Sequence, residues 1–314
     1  MAATPRPLVP TPPGAWRAYA GLVLRKRRGL LPEQRLPALG RSTGPVKLQP
    51  TWLAEYRKQI GLPDEPAVLP PLALQLAAAP LHLEIMADRQ FPFRAMGLVH
   101  LAQRVDQSVA VMPGAVLQLD AFTGRCTPAN RGMEFELITE ARREGRLVWR
   151  GITTVLARQT RASQGAAAPA PGVAQAGSSQ AVKAHSPVEV LGGTWTALCT
   201  LPVPENQGRR YAAIAGDWNP IHQRAWLARR FGFDRAIVHG TWTMARALVA
   251  AGWPQHEAYS LQARFRKPVL LPSTMSLWTQ HAPSVQCLRV MDEDANTEHL
   301  ILRLEPAQPG FASA

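Results

Sequence analysis

Residues 215–222 read AGDWNPIH. The stretch puts a carboxylate (Asp217), a carboxamide (Asn219) and an imidazole (His222) close together on the chain. Carboxylates and imidazoles can accept and return protons, the requirement for acid–base chemistry. A second stretch, AIVHG at 236–240, is an apolar run that ends at His239 and at Gly240, where a helix opens. The first turn of a helix carries N–H groups without intrahelical partners and the positive end of the helix dipole. Such groups hold a developing oxyanion, and a glycine there lets a substrate approach the backbone closely. A third stretch, QARFRKP at 262–268, ends a strand with Arg264, Arg266 and Lys267. Guanidinium groups match phosphate oxygens in geometry, although a solvated sheet edge accounts for each of the three cations equally well.

Taken singly, these residues are ordinary punctuation: GD and NP dipeptides mark turns. Local rules nevertheless place them usefully. Asn219 is a favoured N-cap and Pro220 a favoured first helical residue. The sequence predicts one helix through Ile221, Ala225 and Ala228, stopped by Gly232. His222 then lies in its first turn, and Asp217 lies just outside it on a bend that Gly216 permits. A cap returns the chain on itself, so the two side chains face one cavity. Asn219 either orients His222 or fixes the turn. His239 either lines the site or caps the following helix, and the cap is favoured, since the Gly240 amide needs no side-chain help.

The elements that must position these residues fall into two halves. Gln164 to Ser186 is rich in Ala, Pro, Gly, Ser and Gln, with no aromatic residue and no periodicity, which is a linker composition. Before it, residues 69–87 are apolar almost all round, so a helix there must be enclosed by protein. Pro80 predicts a kink or two shorter pieces. Strand-like segments follow at 97–105, 115–122, 133–138 and 146–156, with Glu144-Gly145 as a tight turn. After the linker the order repeats: a strand at 194–201, the AGDWNPIH stretch, a mostly apolar helix at 239–251, then strands at 258–265, 274–280, 286–290 and 299–304. The expected class is α+β, each half an antiparallel sheet wrapped around a central helix. The expected division is an irregular segment at 1–14, a first domain at 15–160, a linker at 161–190, a second domain at 191–306 and a tail at 307–314.

The chain has 314 residues and a net charge of +13, but only 18% of its residues are charged. A basic surplus suits nucleic acid. No zinc-finger, RRM or KH pattern is present, so that class ranks last. A phosphorylated small molecule or an acidic carrier protein satisfies the same surplus. Three widely spaced cysteines, Cys126, Cys199 and Cys287, form no CxxC pair; we expect a reducing compartment and no metal. The apolar run Ala18–Leu24 is too short to span a bilayer, and Arg25–Arg28 follow it rather than precede it. It reads as a strand ending in a basic edge, and the expectation is a cytoplasmic protein without a membrane partner.

The string Tyr211-(x3)-Ala215-Gly216-Asp217-(x)-Asn219-Pro220-Ile221-His222, with Gly232-Phe233 and Ile237-Val238-His239-Gly240, resembles the hydratase-2 motif of MaoC-like dehydratases. Phe265-(x2)-Pro268-Val269 with Pro272 resembles the strand that follows the central helix in that family. The resemblance covers roughly residues 195–305. The first half is similar more loosely, through Phe91-Pro92-Phe93 and Gly97-Leu98-Val99-His100, and has no GD-x-NP-x-H string. The resemblance implies two hot-dog domains, the first degenerate and shaping an acyl channel, where His100 would be a core or channel residue. It implies a hydro-lyase interconverting trans-2-enoyl and (R)-3-hydroxyacyl thioesters of coenzyme A or acyl carrier protein. Asp217 and His222 would activate a water, and the Gly240 N–H would bind the thioester oxygen. Gly216, Asn219 and His239 would support them, and Arg264, Arg266 and Lys267 would meet the phosphates. No cofactor is implied beyond coenzyme A or phosphopantetheine as part of the substrate, and a homodimer stays open. A catalytically silent acyl-binding or scaffold protein of the same fold is the alternative; the intact Asp217/His222 pair favours the enzyme.

Overall fold

The computed structural model describes residues 6–8, 22, 27–31, 33–62, 68–95, 97–158, 188–252 and 258–307. The expected strand at 18–24, the linker at 164–186 and the C-terminal tail lie largely outside these residues.

Alternating apolar positions bounded by turn residues give long antiparallel strands. The described strands are β1 (Arg6–Leu8), β2 (Gly40–Ser42), β3 (Val46–Leu48), β4 (Leu98–Gln107), β5 (Gln118–Ala129), β6 (Gly132–Arg143), β7 (Arg146–Arg158), β8 (Thr196–Val203), β9 (Tyr259–Phe265), β10 (Ser273–Ala282), β11 (Val285–Asp292) and β12 (Glu298–Pro306). β1 and β3 form a parallel pair. The other ten make one antiparallel sheet in the order β2-β5-β6-β7-β4-β9-β12-β11-β10-β8. The order is similar from either edge: an early strand outside (three residues in β2, eight in β8), then the hairpin strands, then the strand that follows the helices. The halves join where β4 pairs with β9, Ala102 opposite Arg264 and Gln107 opposite Tyr259. Glu144 and Gly145 connect β6 to β7 with φ of 53° and 79°, as a two-residue type I′ turn requires.

The apolar run at 69–87 forms two pieces, α2 (Ala73–Ala77) and α3 (Ala79–Ala87), with Pro80 in the first turn of the second. Every residue of α2 is buried. α3 packs on β2 and β5. Phe91, Phe93 and Phe135 cluster nearby, with ring centroids 5.0 to 5.7 Å apart. In the second half the central helix is α6 (Gly240–Ala250), which buries Trp242, Thr243, Met244, Ala245, Ala247 and Leu248.

Two helices were not expected from the sequence. α1 (Pro50–Ile60) has proline in its first turn and ends at Gly61, with φ of 71°. α4 (Gln207–Ala215) ends at Gly216, with φ of 74°. α1 is a strut between the halves. Trp52 Nε1–H donates to the Ile214 carbonyl of α4 at 3.1 Å, and Trp242 Nε1–H of α6 donates to the Gln59 carbonyl at 2.8 Å. The Tyr56 hydroxyl donates to the Pro71 carbonyl just before α2 at 2.6 Å. A first-half helix therefore ties together the helices that flank the motif of the second half.

The Trp242 bond is buried, so Trp242→Phe leaves the Gln59 carbonyl unpaired. We expect a loss of about 1–3 kcal/mol in urea unfolding with an unchanged m-value. A variant as stable as the parent would remove α1 as a strut.

Candidate active site

Gly216 closes α4, its amide donating to the Ala212 carbonyl at 2.9 Å, and its left-handed conformation turns the chain toward the interior. Asp217 Oδ1 then accepts the Asn219 N–H at 3.1 Å, and Asn219 Oδ1 accepts the Ile221 N–H at 3.3 Å. These side-chain to backbone bonds compete with helix, and here they hold the loop. The expected single helix from 220 to about 231 is corrected. Pro220–His222 is one 3₁₀ turn, Arg224 is extended, and α5 runs only from Ala225 to Arg229. The Ile221 carbonyl, which a continuing helix would give to Ala225, instead accepts the Ile237 N–H at 3.0 Å. Gly208 of α4 packs on the His222 carbonyl so closely that any Cβ would overlap that oxygen. The glycine lets α4 lie against the Pro220–His222 turn.

His222 and His239 stack, with centroids 3.7 Å apart and planes 24° apart. The tautomers follow from their partners, because a carbonyl only accepts. His222 Nδ1 lies 2.8 Å from the Ile237 carbonyl, so Nδ1 carries the hydrogen and Nε2 keeps its lone pair. His239 Nε2 lies 3.0 Å from the Asp217 carbonyl, so that nitrogen donates. His239 is the N-cap residue of α6, as expected, but its side chain makes no cap hydrogen bond. The ring instead braces the loop from beneath through the Asp217 carbonyl. Both rings are buried, while the Asp217 side chain is 46% exposed. Burial disfavours the imidazolium. It lowers the pKa of His222, against the pull of Asp217, and that of His239 to about 3, with its neighbour His222 adding to the fall.

Asp217 Oδ2 lies 3.7 Å from His222 Nε2 and 3.8 Å from His239 Nε2. With His222 neutral, a carboxylate oxygen and an imidazole lone pair face each other as two acceptors, too far apart to bond. A water satisfies both by donating one hydrogen to each. The ligand-type atoms of Asp217, His222 and His239 all lie within 4.8 Å of one another, a grouping that could also hold a cation. The donor assignment of His239 Nε2 works against that, since a nitrogen carrying hydrogen has no lone pair for a metal.

Gly240 opens α6, so its N–H has no intrahelical partner. A Cβ there would come within 2.9 Å of the Phe265 ring, so glycine lets β9 close on the helix N-terminus. Phe265 in turn packs on His100 at 4.5 Å between centroids. A cavity of about 230 Å³ adjoins the loop. Asp217, Asn219 and Thr241 line one wall, and the opposite wall comes from the first half, including Leu76, Met86 and His100.

Residues 180–299 match the family described as the MaoC like domain. Over 266 residues the sequence is 30% identical to 3-hydroxyacyl-thioester dehydratase X of Mycobacterium tuberculosis, covering 82% of this chain and 86% of that protein. The chain belongs to the MaoC-like dehydratase family. A 65-residue stretch, 20% of this chain, is 34% identical to the mitochondrial 3-hydroxyacyl-[acyl-carrier-protein] dehydratase of Arabidopsis thaliana and covers 39% of it. The crystal structure of HtdX of Mycobacterium tuberculosis superposes with a TM-score of 0.69 at 23% identity, over 85% of this chain and all of that one. A MaoC-like dehydratase from Phytophthora capsici gives 0.65 at 16% identity, over 88% and 97%. Both show the hot-dog fold.

In this MaoC-like chain the structure brings Gly216, Asp217, Asn219, His222 and His239 together and sets Gly240 on the adjoining helix. It does not gather the three cations at the cavity. Arg264 alternates with the buried Ala263 and so faces away from the helices, while Arg266 pairs with Glu298 at 3.3 Å and Lys267 is exposed. Trp218 does not line the cavity; its indole N–H is buried without a hydrogen-bond partner among the described residues. Sequence reasoning missed Gly208 and Thr241. The Asn206 and Gly216 that flank α4 were the available signal for the helix carrying Gly208. Among the described residues no helix is long and apolar enough to cross a membrane.

The buried histidines make stability depend on pH with a definite sign. His82 is lowered to about 4 by burial, with His100 adding to it; His239 is lowered to about 3, and His222 is lowered as well. Below their ordinary value near 6.5 the unfolded chain binds protons that the native chain refuses, so these groups cost no stability above that value and lower it as pH falls toward 4. His82 and His239 each contribute on the order of 1 kcal/mol per pH unit in that window, and His222 acts in the same direction. Urea unfolding at about pH 7 and about pH 5 should therefore show a marked loss at the lower value; equal stabilities would mean that the imidazoles are not held neutral.

Proposed function

We propose that this chain is a hydro-lyase that interconverts trans-2-enoyl and (R)-3-hydroxyacyl thioesters carried on coenzyme A or an acyl carrier protein. One observation carries the reading: Asp217 Oδ2 and the lone pair of His222 Nε2 stand 3.7 Å apart beside a largely apolar cavity. Such a pair holds a water by both hydrogens and leaves its oxygen lone pairs for an electrophilic carbon.

In the hydration direction the water oxygen bonds to C3 as one of its protons passes to the Asp217/His222 pair. The C2=C3 electron pair moves toward the thioester, and the enolate oxygen is stabilised by the Gly240 N–H at the positive end of α6. The pair then returns a proton to C2, so that one water has been added and the side chains are restored. Dehydration reverses each step. Proton transfer of this kind is worth on the order of 10² to 10⁴ in rate, and an oxyanion donor about 3 kcal/mol. The Asn219 carboxamide N–H₂ makes no hydrogen bond among the described residues and lines the cavity, which suits it to orient the water or the 3-hydroxyl. Arg266 and Lys267, exposed just beyond β9, are better placed than Arg264 for the phosphates of the carrier arm.

The purified protein should hydrate crotonyl-CoA or a longer enoyl-CoA, read as loss of enoyl-thioester absorbance. Asp217→Asn and His222→Ala should each lower kcat by about 10² or more while staying folded by circular dichroism. Full activity in either variant would overturn the mechanism. Retained acyl-thioester binding by a parent protein without turnover would point to a binding protein instead.

A further inference from the structure

The wall that the first half gives to the cavity is not the wall an aliphatic tail requires. Beside Leu76, Met86 and Val155 stand Gln75, His82, His100 and Thr153, drawn from α2, α3, β4 and β7. Two of the four need nothing more. Gln75 Nε2 donates to Thr153 Oγ1 at 3.0 Å, and Thr153 Oγ1 donates to Gln103 Oε1 at 2.9 Å, closing a small network.

The imidazoles differ. His100 Nε2 lies 3.0 Å from the Ala102 carbonyl, so that nitrogen donates and Nδ1 is left as an acceptor. Gln103 also reaches this side chain, so the ring is held in place. The pairing of β4 with β7 shifts register between His100 and Ala102, a bulge that re-aims the side chain at this point. His82 Nε2 is engaged by Thr139 Oγ1 at 2.8 Å. Neither Nδ1 is among the polar atoms sealed off without a partner, although both residues line the cavity. Burial holds both rings neutral at physiological pH, lowering each to about 4. An unbroken methylene chain laid against them would cover these nitrogens and pair neither, which costs free energy.

His100 is also close to the chemistry. Its ring packs on Phe265, whose ring borders Gly240, and its imidazole lies within electrostatic reach of Asp217. Whatever His100 touches lies a few carbons from the reacting ones.

We propose that the first half reads a hydroxyl group on the acyl chain just beyond C3, donated to Nδ1 of His100 with His82 alongside, so that the preferred substrates are hydroxylated acyl thioesters rather than plain fatty acyl ones. This rests on the hydro-lyase reading for the position of the thioester. Because the His100 acceptor needs a donor, a ketone at the same carbon does not substitute for the hydroxyl.

The test compares acyl-CoA series of equal length that carry a methylene, a hydroxyl or a ketone at each successive carbon beyond C3. Enoyl forms give kcat/KM, and saturated forms, which have no double bond to hydrate, give Kd by calorimetry. At one position the hydroxyl form should be preferred over the methylene form by roughly tenfold or more, about 1.4 kcal/mol, with the ketone no better than the methylene. His100→Phe should abolish that preference chiefly through KM, and His100→Gln, which keeps a hydrogen-bonding group, should restore part of it. Equal affinity for methylene and hydroxyl chains at every position would overturn the proposal, whatever the variants do. A preference untouched by His100→Phe would also overturn it. The binding arm separates the two readings: a hydroxyl preference in Kd without hydration of any enoyl form would leave the subsite standing and remove the hydro-lyase.

Discussion

The hydrogen bond from His222 Nδ1–H to the Ile237 carbonyl, 2.8 Å long and buried, is the constraint on which the site depends. It fixes the ring and the tautomer together. With Nδ1 committed as donor, Nε2 must present a lone pair, and burial keeps the ring from gaining a second proton. That lone pair faces Asp217 Oδ2 at 3.7 Å, and on the proposed function the two acceptors would cradle one water. Most of the surrounding structure serves this bond. Ile221 and Ile237 pair through their backbones, Gly208 lets α4 lie on the His222 carbonyl, and His239 stacks beneath the ring while holding the Asp217 carbonyl.

The second half supplies this device but does not complete the site. α1 belongs to the first half in sequence, yet its Trp52 and Gln59 are bonded to α4 and α6. The cavity wall opposite Asp217 is built from α2, α3, β4 and β7. A first half without a GD-x-NP-x-H string still contributes the strut and the shape of the pocket. Leu83 and Met86 of α3 are apolar yet only partly buried, because they border the cavity rather than protein.

Much of this was legible in the sequence, and the parts that were not have physical reasons. Strands β4 to β12 and the two central helical segments followed from periodicity, and Pro80 marked the break between α2 and α3; the three-residue β1, β2 and β3 are too short to carry a period and were missed. Gly216, Asp217, Asn219 and His222 could be grouped because their turn and cap preferences are local. α1 was missed although Pro50 and Gly61 bracket it and Trp52, Tyr56 and Ile60 recur at helical spacing, a stripe that becomes meaningful only against partners far away in sequence. α4 was missed because Gly216 was read as the bend of a catalytic loop, when the same left-handed residue also ends a helix. The helix expected after Pro220 failed because Ile237, in the extended stretch before α6, takes the carbonyl it needed. The cap position of His239 was legible, but no local rule shows that its ring stacks on His222.

The most direct measurement is a high-resolution crystal structure with a saturated acyl thioester bound, unable to react but able to occupy the site. It should show one water 2.6–3.2 Å or so from both Asp217 Oδ2 and His222 Nε2, the range of ordinary hydrogen bonds. The thioester oxygen should lie on the Gly240 N–H and the acyl chain between the loop and α2–α3. A chain bound elsewhere, or Asp217 and His222 bonded directly to each other with no water between them, would contradict the account.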